Sequence, residues 1–341
     1  MFAKNLLTSN VIQRQAKRLA SKYRAAILKK HGDSLVIEEV KQKSLKNNQV
    51  RINVAYCSVN SIDVKTFRDT ATPVPFVPGY ELTGEVLEVG SDVSPDIISV
   101  GERVAALNLN KFGGLAQECI VDMEDVWRVP SNLPLMDAAV ILLGHSTALY
   151  TFSKLFPLDA KQTVVISAAT GGNGLAAVDV AARVYQAKVI AITDTEVNSE
   201  VTRSKGAFQT MHFHKNLRKD INKLLKNEGA PIIYDAVGDY MLEEIAKCVS
   251  TNGKIICAST RLGNTIATPP AHCTLSVVSL EALRAQDLDM YRQMVSDTLD
   301  MAADELISGH ISESCSLTDV KNAITHIDSK KCSGKVVVKI D

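Results

Sequence analysis

Residues 163–174 read Thr-Val-Val-Ile-Ser-Ala-Ala-Thr-Gly-Gly-Asn-Gly, an apolar β-branched run that flows into glycines. A helix-forming stretch, Leu175 to Arg183, follows directly. Strand, tight turn and helix N-terminus in that order make a cradle for a dinucleotide pyrophosphate. Glycines let backbone approach the phosphates, and the unpaired N–H groups of the first helical turn point at them. Gly171, Gly172, Asn173 and Gly174 are therefore candidate cofactor contacts, with Ala168 standing where the commonest fingerprint has its first glycine. Alone, so degenerate a motif reads equally as an ordinary turn between strand and helix.

Its neighbours tilt that balance. The next predicted strand ends in Ile192-Thr193-Asp194, and an acidic residue at such a tip binds ribose hydroxyls in NAD-binding units. Asp194 sits close to that place, although strand tips are often polar for structural reasons alone. Arg203 and Lys205 follow and are the alternative, as partners of a 2′-phosphate. Two further predicted strands end in Tyr234-Asp235-Ala236-Val237-Gly238 and Ile256-Cys257-Ala258-Ser259. Carboxyl ends of parallel strands converge on the ligand crevice, so Val237 and Ser259 are candidates for backbone contacts to the cofactor. Asp235 reads equally as a structural cap.

The elements that must position these residues fall into two textures. Up to about Trp127, short runs alternate at period two between Gly, Pro, Asp and Ser punctuation; Gln49–Tyr56, Leu82–Gly90 and Arg103–Leu107 are examples. This predicts an antiparallel, barrel-like domain. After Leu133 helix and strand alternate, with strands expected at 163–167, 188–193, 232–237 and 254–258. Helical stretches at 174–186 and 217–227 separate them. A βαβ series of this kind implies a parallel sheet with helices on both faces. Gly334-Lys-Val-Val-Val-Lys-Ile ends the chain as a strand that returns to the first domain.

At 341 residues, 46% hydrophobic and 22% charged, the chain has room for about two domains. No apolar stretch approaches the roughly 20 residues that span a bilayer. The zero net charge is unevenly spread: residues 1–30 carry eight Lys or Arg and no acid, leaving 30 basic against 38 acidic residues beyond. A basic, acid-free leader with Phe2, Leu6, Leu7, Ile12 and Leu19 has the character of a mitochondrial transit peptide, the alternative being a basic tail or surface helix. Loss of the leader leaves an acidic protein, which disfavours nucleic acid as a partner. Seven dispersed cysteines without a C-x-x-C pair read as reduced thiols and not as a structural zinc site.

In the first domain Cys57-Ser58-Val59-Asn60-Ser61-Ile62-Asp63 and Pro78-Gly79-Tyr80-Glu81-Leu82-Thr83-Gly84 stand out. With Glu118–Asp122, Trp127–Pro130, Asp137–Val140 and Ser333–Val336, they make a fixed series of motifs. By these the chain, from about residue 23 onward, resembles the medium-chain dehydrogenases/reductases, and among them the zinc-independent quinone oxidoreductases. The resemblance implies an α/β protein: a GroES-like β-barrel catalytic domain plus a Rossmann doubly wound parallel-sheet cofactor domain. Expected boundaries are 1–22 for the transit peptide, 23–145 for the catalytic domain, 146–286 for the Rossmann domain and 287–341 for the return.

Further expectations follow from the resemblance. Asn60 and Asp63 line the pocket beside the nicotinamide as the catalytic pair, and Thr147 lies near the cofactor. Zinc-dependent relatives have Cys and His where this chain has Asn60 and Tyr80, so no zinc is expected. The implied cofactor is NADPH, with NADH left open by Asp194; the implied substrate is a quinone or an α,β-unsaturated carbonyl (enone). A homodimer in the mitochondrial matrix, with no membrane contact, completes the expectation. His145 invites a role as a proton donor but reads more simply as a hinge-helix residue. Departures from the family pattern keep a second reading open, a dinucleotide-binding regulatory or scaffold protein with little turnover. Lys65 replaces a Tyr, Asn173 a Val, Asp194 and Asn198 stand where a base would meet phosphate, and 269–286 matches poorly.

Overall fold

The computed structural model describes residues 22–194, 199–258, 271–329 and 332–341. The chain begins with β1 (Lys22–Ile27), β2 (Val36–Lys41), β3 (Gln49–Val59), α1 (Ser61–Arg68), β4 (Glu81–Val89) and β5 (Arg103–Leu107). It continues through β6 (Glu118–Asp122), β7 (Val126–Arg128), α2 (Leu135–Ala138) and α3 (Leu142–Tyr150). Next come β8 (Thr163–Ile166), α4 (Gly172–Asp179), β9 (Lys188–Thr193), α5 (Ser199–Ser204), β10 (Gln209–His212) and α6 (Leu217–Leu224). Then follow β11 (Ala230–Asp235), α7 (Asp239–Ala246), β12 (Val249–Cys257), β13 (Thr274–Val277), α8 (Leu280–Gln286) and α9 (Leu288–Ala303). The chain closes with β14 (Ile311–Ser316), α10 (Val320–Asp328) and β15 (Lys335–Lys339).

Two units form. The first runs to Arg128 and regains Ser314–Asp328 and Val337–Asp341; the second holds Val129–Glu313 and Ser329–Val336. The expected divisions at 145/146 and 286/287 thus fall elsewhere, for a packing reason. Helix α3 lies along α4 and α9, and Ser146 Oγ donates to Thr298 Oγ1 at 2.9 Å. Eight of the nine α3 residues are buried, so both α3 and α9 belong to the second core. The expected leader, 1–22, lies outside the described residues except for Lys22, which already pairs with Lys41 in the β1–β2 hairpin.

In the first unit β1 and β2 pair apart from a sheet of order β14-β15-β3-β4-β5-β7, with β6 branching from β3. The pairings of β3 with β4 and β6, β4 with β5, and β5 with β7 are antiparallel, as period-two alternation predicts. The second unit carries six parallel strands in the order β10-β9-β8-β11-β12-β13. From β8 the chain winds outward through β9 and β10, then crosses back to β11 and winds the other way. This is a doubly wound sheet whose order reverses between β8 and β11. Val165, Ile190, Ile192, Ile233 and Ile255 are buried with Leu217 and Ile221 of α6 and Leu242 and Ile245 of α7. Such unbroken apolar strands are what a sheet covered on its faces requires.

Candidate functional site

The reversal between β8 and β11 is where doubly wound sheets leave a crevice at their carboxyl ends, and the glycine turn starts there. After β8 the backbone turns through Ala168 at φ +44° and enters α4 with Gly171 as N-cap. A Cβ on Gly174 would stand 2.1 Å from the Ala168 carbonyl oxygen, so helix and turn pack this closely only with glycine there. At Gly171 a Cβ would meet only that same oxygen, at 3.5 Å. What glycine contributes at 171 is open backbone. No side chain caps α4, so its first-turn N–H groups, at Gly172, Asn173 and Gly174, are available to an outside acceptor, and the helix dipole favours an anion.

A distant segment completes this turn. Gly334 N–H donates to the Thr170 carbonyl at 2.7 Å, and Gly334 bridges Gly171. The next side chain, Lys335, is buried and passes over Gly172; its Cε lies 2.9 Å from where a Gly172 Cβ would be. A cation is thereby laid against the start of α4. Lys335 falls within the Ser333–Val336 motif, and nothing in the sequence marks it for this role. Its only signal is the chain's return after more than 150 residues, which spacing cannot reveal.

The other predicted cofactor residues sort clearly. Asp194 is exposed immediately after β9, at the strand tip where it was expected, and Val237 is exposed just beyond β11. Ser259 lies outside the described residues. Asp235 is fully buried and structural: Ser167 Oγ donates to its Oδ1 and Gly238 N–H to its Oδ2 at 2.5 Å, tying β8 to β11. Thr147 is buried in α3, its hydroxyl donating to the Leu143 carbonyl at 2.7 Å. Lys205, one alternative partner for a 2′-phosphate, is committed elsewhere. It donates to the Ser308 carbonyl and, at 2.6 and 3.2 Å, to Ser308 Oγ and the Gly309 carbonyl. Arg203 donates to Thr210 Oγ1 at 3.0 Å.

In the first unit Asn60 caps α1 and Asp63 occupies its first turn. Asp63 is fully buried, and its two oxygens accept from Asn60 N–H at 2.9 Å and Gly79 N–H at 3.1 Å. Its carboxylate therefore pins the start of α1 to the Pro78–Gly79 turn, a positioning role. Gly79, at φ +86°, cannot be replaced: a Cβ there would lie 2.6 Å from Cys57 Sγ and 2.8 Å from Leu115 N.

Asn60 Nδ2 donates to Ser58 Oγ at 3.2 Å and to Glu81 Oε2 at 3.1 Å, while Ser58 Oγ donates to the same Glu81 oxygen at 2.7 Å. Glu81, fully buried, is the hub of this network and was not singled out from the sequence. Beside it Tyr80 is buried with a hydroxyl that has no hydrogen-bond partner among the described residues. Burial first, then the Asp63 and Glu81 carboxylates, push the Tyr80 phenol well above its ordinary range. The phenol is therefore neutral near pH 7 and offers a proton for hydrogen bonding without acting as a base. An amide and a neutral phenol are poor zinc ligands. Among the described residues no three His, Cys, Asp or Glu side chains gather as a metal site, and no helix is long and apolar enough to cross a membrane.

Comparison with known proteins agrees with this two-part fold. The alcohol dehydrogenase GroES-like domain matches residues 46–131, and the zinc-binding dehydrogenase domain matches residues 172–302. Quinone oxidoreductase-like protein 2 of Bos taurus is 31% identical over 93% of this chain and 93% of its own length. Its homolog in Nematostella vectensis is 34% identical over 93% of this chain and 88% of its own. The structure of Escherichia coli quinone oxidoreductase complexed with NADPH superposes with a TM-score of 0.82 at 20% identity, covering 93% of this chain and 99% of that one.

Proposed function

Because the chain belongs to the medium-chain dehydrogenase/reductase family, we propose that it is an NADPH-dependent reductase of quinones or α,β-unsaturated carbonyls that works without zinc. The observation that carries this reading is the open glycine turn at the β8/β11 reversal with Lys335 laid across it. Backbone N–H groups of α4 and the Lys335 ammonium suit the pyrophosphate, and Asp194 suits ribose hydroxyls. Asp194 is also the group that keeps NADH open as the cofactor. When bound, a reduced nicotinamide would supply a hydride to the β-carbon of an enone or to a quinone, one proton from water completing the product.

The chain's own share of the chemistry is to orient and polarise. Asn60, held by Glu81 and Ser58 and based on the Asp63-capped helix, presents a fixed amide to an acceptor carbonyl. Zinc-free action rests on the donor chemistry at Asn60 and Tyr80. Homologous quinone oxidoreductase-like proteins support the substrate class, and the basic leader supports residence in the mitochondrial matrix. The competing reading, a dinucleotide-binding regulatory protein with little turnover, draws on one observation: the Asn60 amide already donates to Glu81 and Ser58. Mixing purified protein with NADPH and either 1,4-naphthoquinone or a 2-alkenal, and following the nicotinamide absorbance, separates the two. Loss of absorbance supports the reductase; binding of NADPH without turnover supports the regulatory protein.

A further inference from the structure

Behind the glycine turn lies a buried charge cluster that no step above uses. Asp179, the last residue of α4, is fully buried and accepts Ser308 N–H at 2.8 Å. Arg183 Nε lies 3.1 Å and Lys205 Nζ 3.8 Å from its Oδ1. His145 of α3 brings Nε2 to 3.4 Å from Oδ2, yet among the described residues neither ring nitrogen has an aligned hydrogen-bond partner. The His145 side chain is only 4% exposed. An imidazole buried in that state is costly, and native proteins seldom keep one without a use for it.

The surroundings point to the use. His145 lines a small cavity with a volume of about 10 Å³, on the scale of one water, shared with Gly172, Ser308, His310, Gly334 and Lys335. Its helix is pressed onto the turn: a Cβ on the preceding Gly144 would lie 3.0 Å from Ala176 Cβ and 3.3 Å from the Gly172 carbonyl oxygen. The segment that Asp179 holds at Ser308 runs on to His310, whose carbonyl accepts Lys335 N–H at 2.9 Å. Gly334 in turn donates to Thr170. One chain of contacts thus links the His145–Asp179 pair to both halves of the phosphate cradle.

We propose that His145 is a positioning residue for the dinucleotide turn, and that its imidazolium form, paired with Asp179, strengthens dinucleotide binding. This rests on the reading that the turn binds a nicotinamide dinucleotide. The charged and titratable groups around His145 are Asp179, Arg183, Lys205, His310 and Lys335. A pyrophosphate added at α4 brings further negative charge to these surroundings and so favours the charged ring. By linkage, binding that promotes protonation is itself promoted by lower pH. A second imidazole, His310, faces the same cavity and is the rival source of any such effect; burial first, then Lys205, hold it below the ordinary histidine range.

The test is titration of NADPH into the full chain at about pH 6 and about pH 8, around the ordinary histidine range. Wild type, His145→Gln and His310→Gln are compared, so that titration of the cofactor's own 2′-phosphate cancels between them. Wild type is expected to bind about threefold to tenfold tighter at the lower pH, the scale of a partly screened charge pair. His145→Gln loses that difference, and His310→Gln retains it. An unchanged pH dependence in His145→Gln, or its loss in His310→Gln alone, overturns the inference. Should His145→Gln fail to fold, ring-nitrogen NMR of the wild type at constant pH decides. NADPH moves the His145 signals toward the imidazolium form if the inference holds and leaves them in place if it does not. Absence of NADPH binding at every pH overturns the dinucleotide reading itself, an outcome distinct from either of these.

Discussion

Ala168 occupies a left-handed backbone conformation that side chains resist. Ala168→Gly is accordingly expected to stabilise the protein by about 1 kcal/mol, seen as a rise of about 2 °C in melting temperature. Gly174→Ala is expected to do the reverse and to lose NADPH binding, since its Cβ would be driven into the Ala168 carbonyl. Lys335→Gln keeps the fold and weakens NADPH binding about tenfold, with a shallower dependence on salt, because one charge-assisted contact is lost. Equal NADPH affinity in wild type and Lys335→Gln would remove the lysine from the cradle. The residues of the turn were legible in the sequence because a strand, its turn and the next helix are contiguous. Lys335 and Glu81 were not, since each acquires its role only when a remote segment folds beside it.

Helix α4 depends on both of its ends, and its buried end gives a signature in acid. Burial alone would raise the Asp179 carboxyl, but His145, Lys205 and the Ser308 N–H outweigh it and hold the carboxyl below its ordinary range. A lowered folded value means that stability is complete above the ordinary carboxylate range, about pH 4, and drains away as pH falls through that lowered value. Asp179→Asn should therefore cost about 3 kcal/mol at neutral pH, having left the buried Lys205 ammonium without its carboxylate, and should lose less on acidification than wild type does. Denaturant melts at neutral and acid pH check this; parallel acid sensitivities would contradict it. The central strands were readable because both faces are buried and their apolar runs are unbroken. The edge strands β10 and β13 passed unseen, at four residues each with mixed polarity (Gln209-Thr-Met-His and Thr274-Leu-Ser-Val). Helix α3 straddles the expected boundary at 145/146 and packs in the second unit; a helix buried nearly all round does not show in its sequence which core it joins.

At the scale of the whole molecule, the two textures of the sequence became two units: a mainly antiparallel sheet and a doubly wound parallel one. Among the described residues the parallel sheet ends at β13, whose last residue, Val277, is 47% exposed. An open edge of this kind is a template for pairing with a second copy. The homodimer expected from the sequence predicts light scattering at about twice the 37.0 kDa of one chain, and Val277→Lys should shift it toward monomer. The claim on which the rest depends is that the glycine turn serves hydride transfer. Its most direct test is the loss of NADPH absorbance on addition of 1,4-naphthoquinone or a 2-alkenal, run beside Gly174→Ala. Turnover in wild type, abolished in the variant, is the expected result. No turnover by wild type with either acceptor, under conditions where NADPH is bound, would contradict it.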